Sequence, residues 1–275
     1  MEIILKKFLF AKSLDEQRKL FYECFPETIG TSTIEKSHYM WKFHSMRESS
    51  SSFEYGAFLK NKLVGYYAAI PYSYFIKGNE VQAGMVCDVM TGTKARGKGV
   101  FTKMGIYATE NIKNNNIEFT TGYPIRPEVI PGHIKAGWQK MFKLPLYMNF
   151  LSVESLLKNS KLKFLVFLID FFLKVYNKII FVLNNTNKYK IDVLQAKNID
   201  KIKGFDAFIQ NWIDEQKIAL NKNTSFLKWR LSAPEKKYEI AIARSNNKII
   251  GYAIFCYVIK ENVTSIAIFD ISCLK

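Results

Sequence analysis

The chain has 275 residues, 48% of them hydrophobic, enough for one large or two ordinary folding units and too apolar for general disorder. Its four cysteines lack any Cys-x-x-Cys spacing and its three histidines do not group, which excludes a disulfide framework and a zinc site and leaves no metal expected. The net charge of +16 comes from lysines spread along a Lys-, Asn-, Ile- and Phe-rich chain, without a concentrated patch or a nucleic-acid module, so no nucleic-acid partner is expected.

Met1 to Leu5 carries an acid and no long apolar core or small-residue cleavage site, so the reading is a cytoplasmic chain without a secretory signal. Ile3 to Ala11 reads as an edge strand. Ser13 and Glu16 then have the spacing of a capping box, which predicts a helix from Ser13 to about Phe25, stopped by Pro26. Thr31 to Met46 reads as a second helix carrying Tyr39, Trp41 and Phe43, and the serine run from Ser49 to Ser52 as a loop. Three strands follow, Phe53 to Leu59, Val64 to Ile76 and Val81 to Met90, joined by turns at Asn61-Lys62 and Lys77-Gly78-Asn79.

The third of these strands ends in Asp88-Val89-Met90-Thr91-Gly92-Thr93-Lys94-Ala95-Arg96-Gly97-Lys98-Gly99-Val100-Phe101. Gly97 and Gly99 let the backbone approach a ligand closely, successive amides at a helix start point at it, and Lys94, Arg96 and Lys98 add charge. A turn of this kind suits a pyrophosphate. The three-glycine dinucleotide fingerprint and the Gly-x-x-x-x-Gly-Lys-Ser/Thr loop are both absent. Val100, Met104, Ala108 and Ile112 then recur at helical spacing up to Lys113, and Ile117 to Tyr123 alternates like a strand that stops at Pro124.

Arg96-Gly97-Lys98-Gly99-Val100-Phe101 resembles the Arg-x-x-Gly-x-Gly/Ala coenzyme A loop of the GNAT acetyltransferases, with Phe101 standing where that family has Gly or Ala. His133-Ile134-Lys135-Ala136-Gly137-Trp138 looks like the family's Tyr-x-Lys-x-Gly-Phe block. The resemblance implies an α/β fold, a GNAT-like mixed central sheet flanked by helices, followed by a second, partial GNAT-like unit. It implies acetyl-CoA as acyl donor, bound by Val89, Met90 and Thr91 of the strand and by Arg96, Gly97, Lys98, Gly99, Val100 and Phe101 of the turn. Asp-Val-Met-Thr followed by Arg-Gly-Lys-Gly-Val-Phe is similar to GNAT proteins of bacterial surface-polysaccharide pathways, which implies an amino sugar or its nucleotide as the small amine acceptor.

Acetyl transfer to an amine needs a proton acceptor and a proton for the departing thiolate. His133 stands where the family has its thiolate-protonating tyrosine, and Tyr123 and Tyr147 are alternative donors. Asp88, a carboxylate in an apolar strand beside the expected donor, is the candidate base, with Glu54 and Glu128 behind it. Asp270 occupies the corresponding place in the second unit, which favours a structural anchor at Asp88 as well. Tyr66, Tyr67, Tyr72 and Tyr74 would line an acceptor groove or pack in the core.

Lys161 to Leu183 is strongly apolar, but Asp170, Lys174, Asn177 and Lys178 make a membrane span expensive. A helix packed between two units is expected, with a helix lying on the inner membrane surface, its lysines meeting anionic lipid, as the alternative. Beyond it the chain echoes its own beginning: Ser225 to Arg230 resembles His38 to Lys42, Asn247 to Ala253 resembles Asn61 to Tyr67, and Val263 to Ile271 resembles Val81 to Val89. The expected organisation is therefore an acetyltransferase unit at 1–150, an apolar linker helix at 151–190 and an incomplete second unit at 191–275. Two other functions remain open at this level: an aminoacyl or peptidyl transferase of cell-wall synthesis with tandem units, and a non-catalytic membrane-associated binding protein.

Overall fold

Apolar residues at every fourth position give the chain its most regular helix, and alternation gives it two sheets. In the computed structural model, residues 2–45, 52–183, 189–260 and 263–275 are described, Lys260 by its backbone alone. The expected end of the second helix at Met46 and most of the serine run lie outside the described residues. In chain order the elements are β1 (Ile4–Lys7), α1 (Phe10–Cys24), α2 (Lys36–His44), β2 (Phe53–Leu59), β3 (Lys62–Ile76), β4 (Asn79–Thr91), α3 (Val100–Lys113), β5 (Phe119–Gly122) and α4 (Ile130–Lys135). They continue with α5 (Glu154–Leu157), α6 (Val166–Leu183), β6 (Lys190–Gln195), α7 (Phe205–Asp214), β7 (Ile218–Leu220), α8 (Thr224–Leu231), β8 (Glu239–Ser245), β9 (Lys248–Lys260) and β10 (Val263–Cys273).

These elements form two compact units, residues 1–141 with 213–235, and residues 142–212 with 236–275. The first holds a mixed sheet in the order β1-β2-β3-β4-β5, antiparallel except for the parallel β4–β5 pair, with β7 added antiparallel to β3. α3 covers one face. Its residues Val100, Met104, Ala108 and Ile112 are at most 1% exposed and pack with Tyr55, Ala57, Tyr67 and Ala69 of the sheet. α1 begins at Phe10 with Leu9 as its N-cap and no side-chain cap, four residues before the Ser13 cap that the capping box predicts. Glu16 is drawn away instead, accepting the Leu63 N–H at 3.2 Å. The predicted second helix shrinks to α2, preceded by a single tight turn over Ser32–Ile34.

Residues 213–235, expected to belong to the second unit, are part of the first. Trp41 of α2 and Trp229 of α8 hold them there: each indole Nε1–H donates to the other residue's carbonyl oxygen, at 2.9 and 2.8 Å, with the rings stacked 5.6 Å apart. Both are buried, and both hydrogen bonds would be stranded if the pair separated. Tyr66, Tyr67 and Tyr72 are buried to 7% exposure or less, so these tyrosines are core rather than groove.

The second unit carries an antiparallel sheet, β10-β9-β8-β6, built on the same strand plan. Leu5 faces Ala57 as Ile191 faces Ala243; Ala57 faces Gly65 as Ala243 faces Gly251; Gly65 faces Thr91 as Gly251 faces Cys273. Each β-hairpin slips register at the same point, after Ala57 and after Ala243. Each closes through two left-handed residues, Lys60-Asn61 (φ 49° and 60°) and Asn246-Asn247 (φ 47° and 63°). α7 packs Phe205 and Phe208 on Tyr252 of this sheet. α6, expected as a packed helix, buries none of its side chains.

Trp229→Ala should cost about 3–5 kcal/mol in urea unfolding, as for other buried tryptophans. Trp229→Phe, which keeps a ring but loses one hydrogen bond and strands the Trp41 carbonyl, should cost about 1–3 kcal/mol. Equal stabilities of Trp229→Phe and the parent protein would show that the reciprocal bonds contribute nothing.

Candidate functional site

The site grows from the end of β4. Its parallel ladder with β5 runs from Ala83–Phe119 to Val86–Gly122 and stops, while β4 itself continues to Thr91. Cys87 to Thr91 therefore has a free backbone edge on that side among the described residues. On the β3 side the register passes from Ala68–Cys87 to Tyr66–Met90, so Asp88 and Val89 together oppose Tyr67. This bulge puts Asp88 at φ 49°, in the left-handed region that a non-glycine residue enters only when held there.

Lys42 of α2 does the holding. Its Nζ lies 2.7 Å from Asp88 Oδ1, with both side chains mostly buried. Burial, the largest single influence on Lys42, pulls its pKa down, but Asp88 and Cys87 outweigh it and the ammonium is held above its ordinary range. The isolated carboxylate expected at position 88 is thus an ion-paired one. In the second sheet Asp270 sits at a register slip too, where it accepts the Tyr252 hydroxyl at 2.8 Å.

Past Thr91 the chain turns through Thr93–Ala95 into the basic loop and α3. Gly97 and Gly99 have φ of 73° and 71°, and a Cβ on either would meet nothing within 4 Å, so the turn is uncrowded at both positions. Gly99 is the N-cap of α3, and the first turn of α3 holds no acidic side chain. The positive end of the helix is left for an outside anion. Arg96 Nε donates to the Thr91 carbonyl at 3.2 Å, Lys98 Nζ donates to the Lys94 carbonyl at 2.8 Å, and the Thr91 Oγ1 is buried with no partner in the protein. Glu23 of α1 accepts both the Thr93 N–H and its hydroxyl at 2.5 Å, bonds that hold its carboxyl below the usual range. Nothing near in sequence announces Glu23.

Phe101 does not fill the loop. Its ring lies against α4, 2.7 Å from where a Cβ on Gly132 would stand and 4.9 Å from the His133 ring, which also meets Trp138 at 5.0 Å. His133 is therefore beside the first turn of α3, with burial pulling its pKa down. A neutral imidazole that can still donate an N–H is the resulting state near pH 7. Tyr123 follows β5, half exposed, and Glu128 lies in the turn before α4. Tyr147 is 86% exposed and belongs to the second unit.

A buried carboxylate cluster lies on the α1–α2 side of the sheet. Glu54 of β2, 5% exposed, accepts from the Tyr39 and Tyr66 hydroxyls and faces His44 Nε2 at 3.0 Å. Burial, then Glu54, raises both phenols, which stay neutral donors. Glu54 also lines a cavity of about 220 Å³ with Lys7, Tyr107 and Asn111, at the far end of α3 from the loop. In the second sheet the position of Glu54 is filled by Ile240: Glu54 pairs with Ala68 as Ile240 pairs with Ile254. The strand plan itself thus asks for no carboxylate there.

His38 of α2 has its pKa pushed down from 6.5 to about 4, by burial first and then by Lys42. Folded His38 stays neutral where the unfolded ring takes a proton. Its contribution to stability is therefore full above pH 6.5 and falls as the pH drops toward 4. An NMR titration of the His38 ring should find its midpoint near 4; a midpoint near 6.5 would place the ring in water.

Residues 7–139 match the family described as Acetyltransferase (GNAT) domain. No curated protein matches the chain. Among solved structures, a conserved Enterococcus faecalis V583 protein of unknown function, named a probable N-acyltransferase, aligns at TM-score 0.63 and 14% identity over 100% of this chain and 59% of its own. GCN5-related N-acetyltransferases from Anabaena variabilis (TM-score 0.60, 13% identity, 100% of this chain and 59% of that one) and Kribbella flavida (0.57, 12%, 100% and 58%) share the fold to a similar degree. The chain spans less than three fifths of each of these proteins. The bulged β4, its unpaired end and the glycine turn on α3 all fall within residues 7–139, the stretch that is similar to the GNAT acetyltransferase domain.

Proposed function

We propose that the first unit transfers an acetyl group from acetyl-CoA to the primary amine of a small acceptor. One observation carries this reading: the free edge of Cys87–Thr91 runs directly into a basic turn whose Gly97 and Gly99 are left-handed and uncrowded at the N-terminus of α3. The edge supplies backbone donors and acceptors for the amides of a pantetheine arm and for a thioester carbonyl. The turn supplies amides, Arg96 and Lys98 for a pyrophosphate.

The amine nitrogen forms a bond to the thioester carbon, the carbon–sulfur bond breaks, and the thiolate leaves with a proton. His133 in its imidazolium form, the protonated minority that burial leaves at neutral pH, is the proposed donor of that proton, and Tyr123 the alternative. The acceptor loses a proton in turn. Asp88, committed to Lys42, is better suited to hold the bulge than to take it. Glu54, with phenolic donors and an imidazole beside it, is the better-placed sink. The proposed acceptor is an amino sugar or its nucleotide, on the resemblance of the Asp88–Phe101 segment alone. The second strand set is proposed as a partial second GNAT-like unit, on the shared register of its hairpins. A place in the cytoplasm, with residues 161–183 at the inner membrane surface, completes the reading.

Calorimetric titration with acetyl-CoA should show saturable binding that Gly99→Glu abolishes. Phe101→Ala should keep affinity within a few-fold, because the ring packs on α4. Absence of binding by the parent protein would remove the donor site. Where turnover is measured by thiol release, Glu54→Gln should lower kcat by about 10- to 100-fold and leave donor affinity unchanged. An unaltered kcat would return Glu54 to a structural role.

A further inference from the structure

α6 is the longest helix of the second unit and its rotation is fixed by two polar contacts. Asp170 accepts the Ser152 hydroxyl at 2.7 Å and the Val153 N–H at 2.8 Å, and Asn177 accepts from Asn149 at 3.2 Å. Residues 170 and 177 are two turns apart, so both contacts are made from one side of the helix. The strap at 149–153 therefore lies along that side, and the polar stripe legible in the sequence is half consumed by it.

The opposite side, at about 100° per residue, is Leu168, Phe172, Val175, Ile179 and Val182. These are 51%, 61%, 40%, 52% and 65% exposed. Lys174 and Lys178 run along the flank between strap and stripe, and Lys158, Lys161 and Lys163 precede the helix. From 154 to 183 the acids are Glu154 and Asp170, and Asp170 is bound to the strap.

We infer that α6 lies in the plane of an anionic phospholipid surface, with the Leu168–Phe172–Val175–Ile179–Val182 stripe inserted among the acyl chains and Lys174 and Lys178 at the headgroups. The inference rests on the reading that residues 161–183 meet a membrane, and it specifies the face, the tilt-free orientation and the lipid charge. Among the described residues no helix is long and apolar enough to cross a bilayer, so the helix lies on the surface rather than spanning it. Charge favours this occupant over a second copy of the chain: copies carrying +16 repel one another, whereas an anionic leaflet attracts both the chain and the lysine flank. The strap supplies what an isolated amphipathic helix lacks, a fixed roll angle before it meets the surface.

Flotation with phosphatidylcholine vesicles, and with vesicles in which phosphatidylglycerol replaces about a third of the lipid, tests this directly. The parent protein should float only with the anionic vesicles and be released by salt. Phe172→Glu/Ile179→Glu should reduce the bound fraction about tenfold, Lys174→Glu/Lys178→Glu should reduce it less, and Asp170→Ala should weaken it by freeing the roll angle. Unchanged far-ultraviolet dichroism and acetyl-CoA titration for the Phe172 and Ile179 variant show that it has folded. Arg96→Glu should float like the parent protein, which keeps this surface independent of the donor site.

No flotation of the parent protein with either vesicle would overturn membrane contact altogether. Flotation that the Phe172 and Ile179 substitutions leave intact would keep the membrane and remove this face. A concentration-dependent dimer in light scattering, lost on the same substitutions, would assign the stripe to a second copy and overturn the inference.

Discussion

The ion pair between Lys42 and Asp88 is the contact on which the rest of the first unit turns. It ties α2 to β4 at the one residue of that strand forced into the left-handed region. The bulge follows directly on the point where β5 runs out and the ladder between the two strands ends, at Val86–Gly122. Breaking such a mostly buried pair from one side leaves a charge with no partner, so the pair acts less as a source of stability than as a clamp on geometry.

The two sheets show what the strand plan requires and what it does not. Register slips after Ala57 and Ala243, left-handed hairpin turns and the Tyr66 and Tyr252 positions recur in both. Glu54 does not. Its counterpart Ile240 is fully buried and apolar, as a core position favours. A carboxylate with three polar neighbours at that depth is harder to place than an isoleucine, and it occurs in the sheet that carries the glycine turn. α3 covers the first sheet on its other face, while Ile191, Val193, Ile268 and Ile271 of the second sheet are each more than half exposed.

The loop is prepared for an anion in several independent ways. Two glycines leave it free of side chains, the helix behind it has no acid in its first turn, and Arg96 and Lys98 are fastened to nearby carbonyls rather than to carboxylates. Glu23 is the one carboxylate at its edge, and it is spent on Thr93. Phe101, the departure from the family's small residue, is accommodated because Gly132 has no side chain and leaves room for the ring.

Local pattern alone located β2, β3, β4 and α3 to within a residue or two, since alternation and four-residue spacing are properties of neighbouring positions. It also located the glycine turn, whose chemistry depends on consecutive residues. It failed where a partner lay far along the chain. Ser13 lost its expected capping place and Glu16 serves Leu63 instead, Asp88 gained Lys42, and Tyr66, Tyr67 and Tyr72 of β3 went to the core. Residues 213–235 joined the first unit because Trp229 meets Trp41 across 188 positions, a separation that no periodicity records. The sequence by itself determined the secondary structure and the anion-binding turn, because both are short-range. Only the tertiary structure decided which charges are paired, which rings are buried and which face of α6 looks outward, because burial and pairing are set by what folds against a residue and not by what precedes it.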